Sequence, residues 1–143
     1  MTEEIWEKYQ SMKTYRIDGE QFSTLEGFYE EVSRVLIPGA GWGHNLDAFN
    51  DILRGGFGTP DGFILIWENS DVSKKRLGYS ETVHQLERML ESCHPTGRRD
   101  FKAQLRNAKN NKGATVFDWL VEIIRVHGVG GKEAEDNVIL KLQ

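Results

Sequence analysis

Hydrophobic and polar positions along this chain fall into two periods, and their succession predicts which segments are strands and which are helices. Thr14 to Asp18 reads as a first strand closed by the turn pair Asp18-Gly19. Ser23 to Glu26 fits an S-x-x-E capping box. It opens a helix with Leu25, Phe28, Tyr29, Val32, Val35 and Leu36 on one face, ended by Pro38-Gly39. A second, shorter helix begins after Asn45, an N-cap residue type. Leu46, Phe49, Ile52 and Leu53 form its buried stripe, while Asp47, Asn50, Asp51 and Arg54 share another face. Gly55 supplies its C-terminal stop.

Phe63-Ile64-Leu65-Ile66-Trp67 is a continuous apolar run behind the turn residues 59–62. A run without alternation suits a strand covered on both faces, typical of a central parallel strand, and two intervening helices favour a crossover over a hairpin. Ser80 is placed to cap a helix carrying Val83, Leu86, Met89, Leu90 and Cys93, which breaks at 94–97. Arg98 to Asn110 reads as a basic helix with Phe101, Leu105 and Ala108 as a narrow apolar seam. Thr115 and Asp118 form a variant capping box for a helix from Val116 to His127, apolar nearly all round and so expected to be the most buried. A glycine-rich, then acidic loop leads to a third strand, Val138 to Leu142. At the other end, Ile5, Trp6, Tyr9 and Met12 have helical spacing, so Thr2 to Met12 is either a short amphipathic helix or a tail.

Length and charge narrow the class. At 143 residues the chain is expected to be one domain, 1–143, with an N-terminal extension over 1–13 and a helical insertion over 72–112. No apolar run approaches the ~18 residues of a membrane span, and the N-terminus lacks a secretory pattern, so a cytoplasmic protein is expected. The one cysteine, Cys93, forbids an internal disulfide and agrees with a reducing compartment. Net charge is −4, but residues 98–112 carry six cations against Asp100, leaving −9 for the remainder. An acidic body suits a basic partner and argues against direct nucleic-acid binding through that face.

The chemistry concentrates in a glycine-rich loop and the helix after it. Glycines at 39, 41 and 43 permit positive φ and little side-chain bulk, so Trp42 is expected to stand clear. The G-x-G-x-G run follows a helix rather than a strand and has no Lys-Ser/Thr after it, which argues against a phosphate loop. The four histidines and Cys93 lack zinc spacing, so neither a metal nor another cofactor is expected. Two aspartates at i and i+4 are commonly just a solvated face, and Asp47 gains from the helix dipole there regardless.

The run Trp42 to Gly55, W-G-H-N-L-D-A-F-N-D-I-L-R-G, resembles the loop and second helix of the barstar family, intracellular inhibitors of barnase-type ribonucleases. The matching residues are Gly43, Asn45, Leu46, Asp47, Ala48, Asp51, Leu53 and Gly55. IDGEQF at 17–22 and the apolar strand ending in Trp67 match the family's flanking elements. The resemblance runs from about Tyr15 to Leu142, with a longer stretch between Asp71 and Lys112 than in the best-known member. It implies an α/β fold, a small three-stranded parallel sheet packed with helices, with extra helices inserted between strands 2 and 3. It also implies a non-enzymatic inhibitor that plugs the active site of a basic ribonuclease. Asp51 matches the aspartate that takes the place of a substrate phosphate, and Asp47 a second contacting aspartate. Gly43, Asn45, Leu46 and Gly55 match other interface positions. Three positions depart from the pattern. A contact tyrosine falls at Gly41, where neighbouring Trp42 offers an aromatic of different reach. Asn50 and Gly56 stand where the family has tryptophans. The family's glutamate before the last strand aligns with Glu122 or, with another gap, Ile123.

Two other functions are open to these residues. Asp47 and Asp51 could serve a carboxylate-dependent hydrolase, for which only His44 is a nearby partner. The basic helix 98–112 could bind nucleic acid, although Phe101 is its only aromatic and lies in the seam.

Overall fold

The computed structural model describes residues 12–55 and 57–143. Three strands form one parallel sheet in the order β1 (Thr14–Asp18), β2 (Phe63–Glu68), β3 (Val138–Leu142). Tyr15 pairs with Leu65 and Ile17 with Trp67, while Leu65 pairs on its other side with Leu140. Helices α1 (Leu25–Val35) and α2 (Leu46–Leu53) connect β1 to β2. Helices α3 (Ser70–Arg76), α4 (Tyr79–Ser92), α5 (Arg98–Lys109) and α6 (Val116–Val126) connect β2 to β3. All three strands therefore stand as the apolar runs predict, and β2 is buried from Phe63 to Trp67 because both of its faces are covered. The amphipathic segment expected over Thr2 to Met12, with Trp6, lies outside the described residues apart from Met12.

An aromatic cluster holds the layers together. Phe28 of α1 packs edge-on against Phe49 of α2, with ring centres 5.1 Å apart, and at a tilt against Trp67 of β2 at 5.3 Å. Trp67 in turn meets Phe117 of α6 at 5.1 Å. Such pairs add about 0.5–1.5 kcal/mol each beyond the area they bury. Phe49, Ile52 and Leu53 are almost wholly buried, so α2 is fixed to the core by one face and presents the other outward.

Several local expectations are corrected. Thr24, not Ser23, caps α1, accepting from the Gly27 N–H. The first backbone N–H of α1 is taken by Glu81 of α4, at 2.7 Å. Helix α4 starts at Tyr79 after Gly78, so Ser80 lies inside it and is not its cap. The Thr115–Asp118 capping box is present, but α6 buries only one side, and Trp119 and Ile123 stay half-exposed. Helix α3 had no apolar stripe to announce it. It forms where Ser73 Oγ accepts from the Trp67 indole at 2.9 Å. Gly19 lies so close that a Cβ there would fall 2.3 Å from that same oxygen. Among the described residues no helix is long and apolar enough to cross a membrane.

Candidate partner-binding site

Asn45 begins α2 as its sequence predicts: its side-chain oxygen accepts from the Ala48 N–H at 2.8 Å, while its amide nitrogen donates to Gly43 O. That closes the loop onto the helix and satisfies a backbone donor at the helix start. At the other end Gly55 takes φ +90, a conformation that side chains resist. Between these stops, Asp47, Asp51 and Arg54 are exposed and Leu46 is half-buried.

The loop differs from its expected form. Only Gly39 of the three loop glycines has positive φ, and the non-glycine His44 adopts φ 44 instead. Trp42 does not stand clear. Its indole donates to Ser33 Oγ of α1 at 2.6 Å, and its ring packs edge-on against Tyr29 at 5.4 Å and at a tilt against His44 at 4.4 Å. A buried or half-buried indole favours a partner for its N–H; here the nearest one lies on α1, so the aromatic folds back and stiffens the loop. Burial, then the charges of Glu26 and Asp47, push the Tyr29 phenol well above its ordinary range.

Asp51 belongs to a network that joins α2 to the segment before β3. Arg54 Nη1 donates to Asp51 Oδ1 at 2.7 Å, and its Nε and Nη2 donate to the two oxygens of Glu133 at 2.8 and 3.1 Å. The fork geometry suits two parallel charge-assisted bonds. The Arg54 guanidinium holds the Glu133 carboxyl below the usual glutamate range. Beside it, His127 is completely buried. Its Nδ1 is 2.6 Å from Asp136 Oδ2, and its Nε2 is 2.6 Å from the side-chain oxygen of Asn50. Helical spacing predicts Asn50 on the outward face with Asp47 and Asp51; the fold turns its oxygen inward to His127, which makes it a support for the helix. His127, Glu133 and Asp136 stand close enough to share a cation, but the cation facing Glu133 is the guanidinium of Arg54.

The remaining predicted residues are placed simply. Gly43 and Asn45 are exposed at the mouth of the loop, Gly55 is half-buried, and Glu122 is exposed on α6. The sequence reading missed His127, Glu133 and Asp136. The only available signal was that acids and a histidine crowd the loop before the last strand.

A sequence model of the Barstar (barnase inhibitor) family matches residues 12–106. The chain belongs to the Barstar family. The matched span takes in β1, the capped loop, α2 and β2, and continues through α4 into α5; α6 and β3 lie beyond it. A comparison with curated proteins finds no match. Barstar-family proteins inhibit barnase-type ribonucleases by binding them as protein partners, and are not themselves enzymes. The observed sheet and helices agree with that fold.

Proposed function

We propose that this protein inhibits a basic cytoplasmic ribonuclease, of barnase type or deployed as a toxin to which this chain gives immunity. It does so by setting the loop 41–45 and the outer face of α2 into the enzyme's active site. The observation that carries this reading is the Asp51 carboxylate, exposed on a helix that is buried on its other face and tied at both ends. A carboxylate fixed in this way can accept charge-assisted hydrogen bonds from the arginine, lysine and histidine groups that normally receive a phosphate. Because the helix is already ordered, little conformational freedom is lost on binding.

Asp47 lies one turn earlier, near the positive end of the helix dipole, and adds a second negative group to the same face. Gly43, Asn45, Leu46 and Gly55 shape the contact surface, and Trp42 and Asn50 hold it from behind. One experiment tests the reading directly. Wild-type protein and Asp51→Ala are immobilised in parallel, and the proteins that each captures from a cell extract are assayed for ribonuclease activity. A ribonuclease retained by wild type and lost from Asp51→Ala is expected; equal retention by both refutes the role given to α2.

A further inference from the structure

Beside the start of α2 lies a groove of about 700 Å³, walled by α1 and the loop on one side and by α4, α5 and α6 on the other. Leu46, Met89, Phe101 and Trp119 line it, all half-buried, so an apolar surface stays open to water. Its acidic groups, Glu26 and Asp47, belong to the α1 and α2 side. Arg88 reaches across from α4 to hydrogen-bond Glu26, which leaves Asp47 as the acidic group at the rim with no ion pair among the described residues.

Three considerations say what covers it. First, α2 has eight residues and is about 12 Å long, whereas a stable complex buries about 800 Å² on each partner. The partner must therefore reach beyond this helix. Second, the groove is continuous with the proposed binding face, since His44, Asn45, Leu46 and Asp47 belong to both. Third, Leu46, Met89, Phe101 and Trp119 give the groove an apolar lining. Its floor matches an apolar side chain and the Asp47 carboxylate at its rim a cation.

We infer that this groove receives a loop of the same ribonuclease, carrying an apolar or aromatic side chain beside a lysine or arginine. The inference rests on the inhibitor reading above and gives α4 and α5 a part in choosing the target. A partner engaged by both the carboxylates and the groove is held at two separated points, so loss of the groove contact speeds dissociation.

Gln104 is exposed on α5 at the groove and is the site for the test. The ribonuclease retained by immobilised wild type is titrated calorimetrically with wild type, Gln104→Trp, which fills the groove from its rim, Gln104→Ala as control, and Asp51→Ala. Melting curves verify that each variant is folded. Gln104→Trp is expected to weaken binding about tenfold or more, with Gln104→Ala unchanged and Asp51→Ala weakened. Wild-type affinity in Gln104→Trp, together with weakened Asp51→Ala, overturns the groove and leaves the inhibitor reading standing. Unchanged binding by Asp51→Ala overturns both.

Discussion

Helices α2 and α5 are both amphipathic and both turn a charged face to solvent, yet they are fastened in different ways. The acidic helix α2 is bonded to residues nearly eighty positions away, through Arg54 to Glu133 and Asn50 to His127, and sinks Phe49, Ile52 and Leu53 into the core. The basic helix α5 buries only Ala108 and lies mainly along α4. Among the described residues no salt bridge involves its cations. Charge alone therefore distinguishes these helices less than attachment does. A charged group held by distant partners meets a ligand with its position already set, while free cations on a surface helix keep their water and their rotamers.

The largest expected effect breaks the attachment itself. His127→Ala removes a fully buried ring from between Asn50 and Asp136, leaving polar groups without a partner and a void behind. A loss of about 2–4 kcal/mol of stability is expected, read from urea denaturation midpoints. A loss below about 1 kcal/mol would mean that the segment before β3 does not hold α2.

Next comes binding. Asp51→Ala is expected to weaken the complex with the target ribonuclease by more than about 2 kcal/mol, measured by calorimetry, while the denaturation midpoint scarcely moves. That magnitude is borrowed from interface hot spots generally, barnase and barstar among them.

A smaller effect follows from pH. The Glu133 carboxyl is held down in the folded state by Arg54, so its contribution is present above the ordinary glutamate value of 4.5 and is lost as pH falls through the lower, folded value. As pH falls below the ordinary glutamate value of 4.5, wild type should therefore lose stability by more than Arg54→Ala does. Parallel acid-side slopes in the two proteins would deny the linkage.

The smallest effect belongs to α5. Replacing Arg99 and Lys102 together by glutamine is expected to change stability by less than about 0.5 kcal/mol. Retention on RNA at low salt should be unchanged by the same pair of substitutions. A salt-dependent loss of retention would instead make α5 a nucleic-acid surface.

Much of the architecture was legible because it depends on short-range pattern. The run Phe63 to Trp67 suits a covered strand, and Asn45, Gly55 and the Thr115–Asp118 pair mark helix ends by local chemistry. Where two residues could do the same work, pattern chose wrongly: the S-x-x-E spacing points to Ser23, and the path of the backbone selects Thr24. Helix α3 was invisible because Ser70 to Arg76 has no apolar stripe. Its position is set by Trp67 from below and by the carbonyl of Gln143, which accepts from Ser70.

The candidate site divides along the same line. From sequence alone came the family, the capped loop and the pair Asp47 and Asp51, because helical spacing places them on one face whatever surrounds them. Tertiary structure alone decided that Trp42 folds onto Ser33 and that Asn50 faces His127. It also decided that Asp51 shares its arginine with Glu133. Those contacts join residues up to 79 positions apart, and no local preference encodes them; they exist because a common core brings α2 and the segment before β3 to the same place.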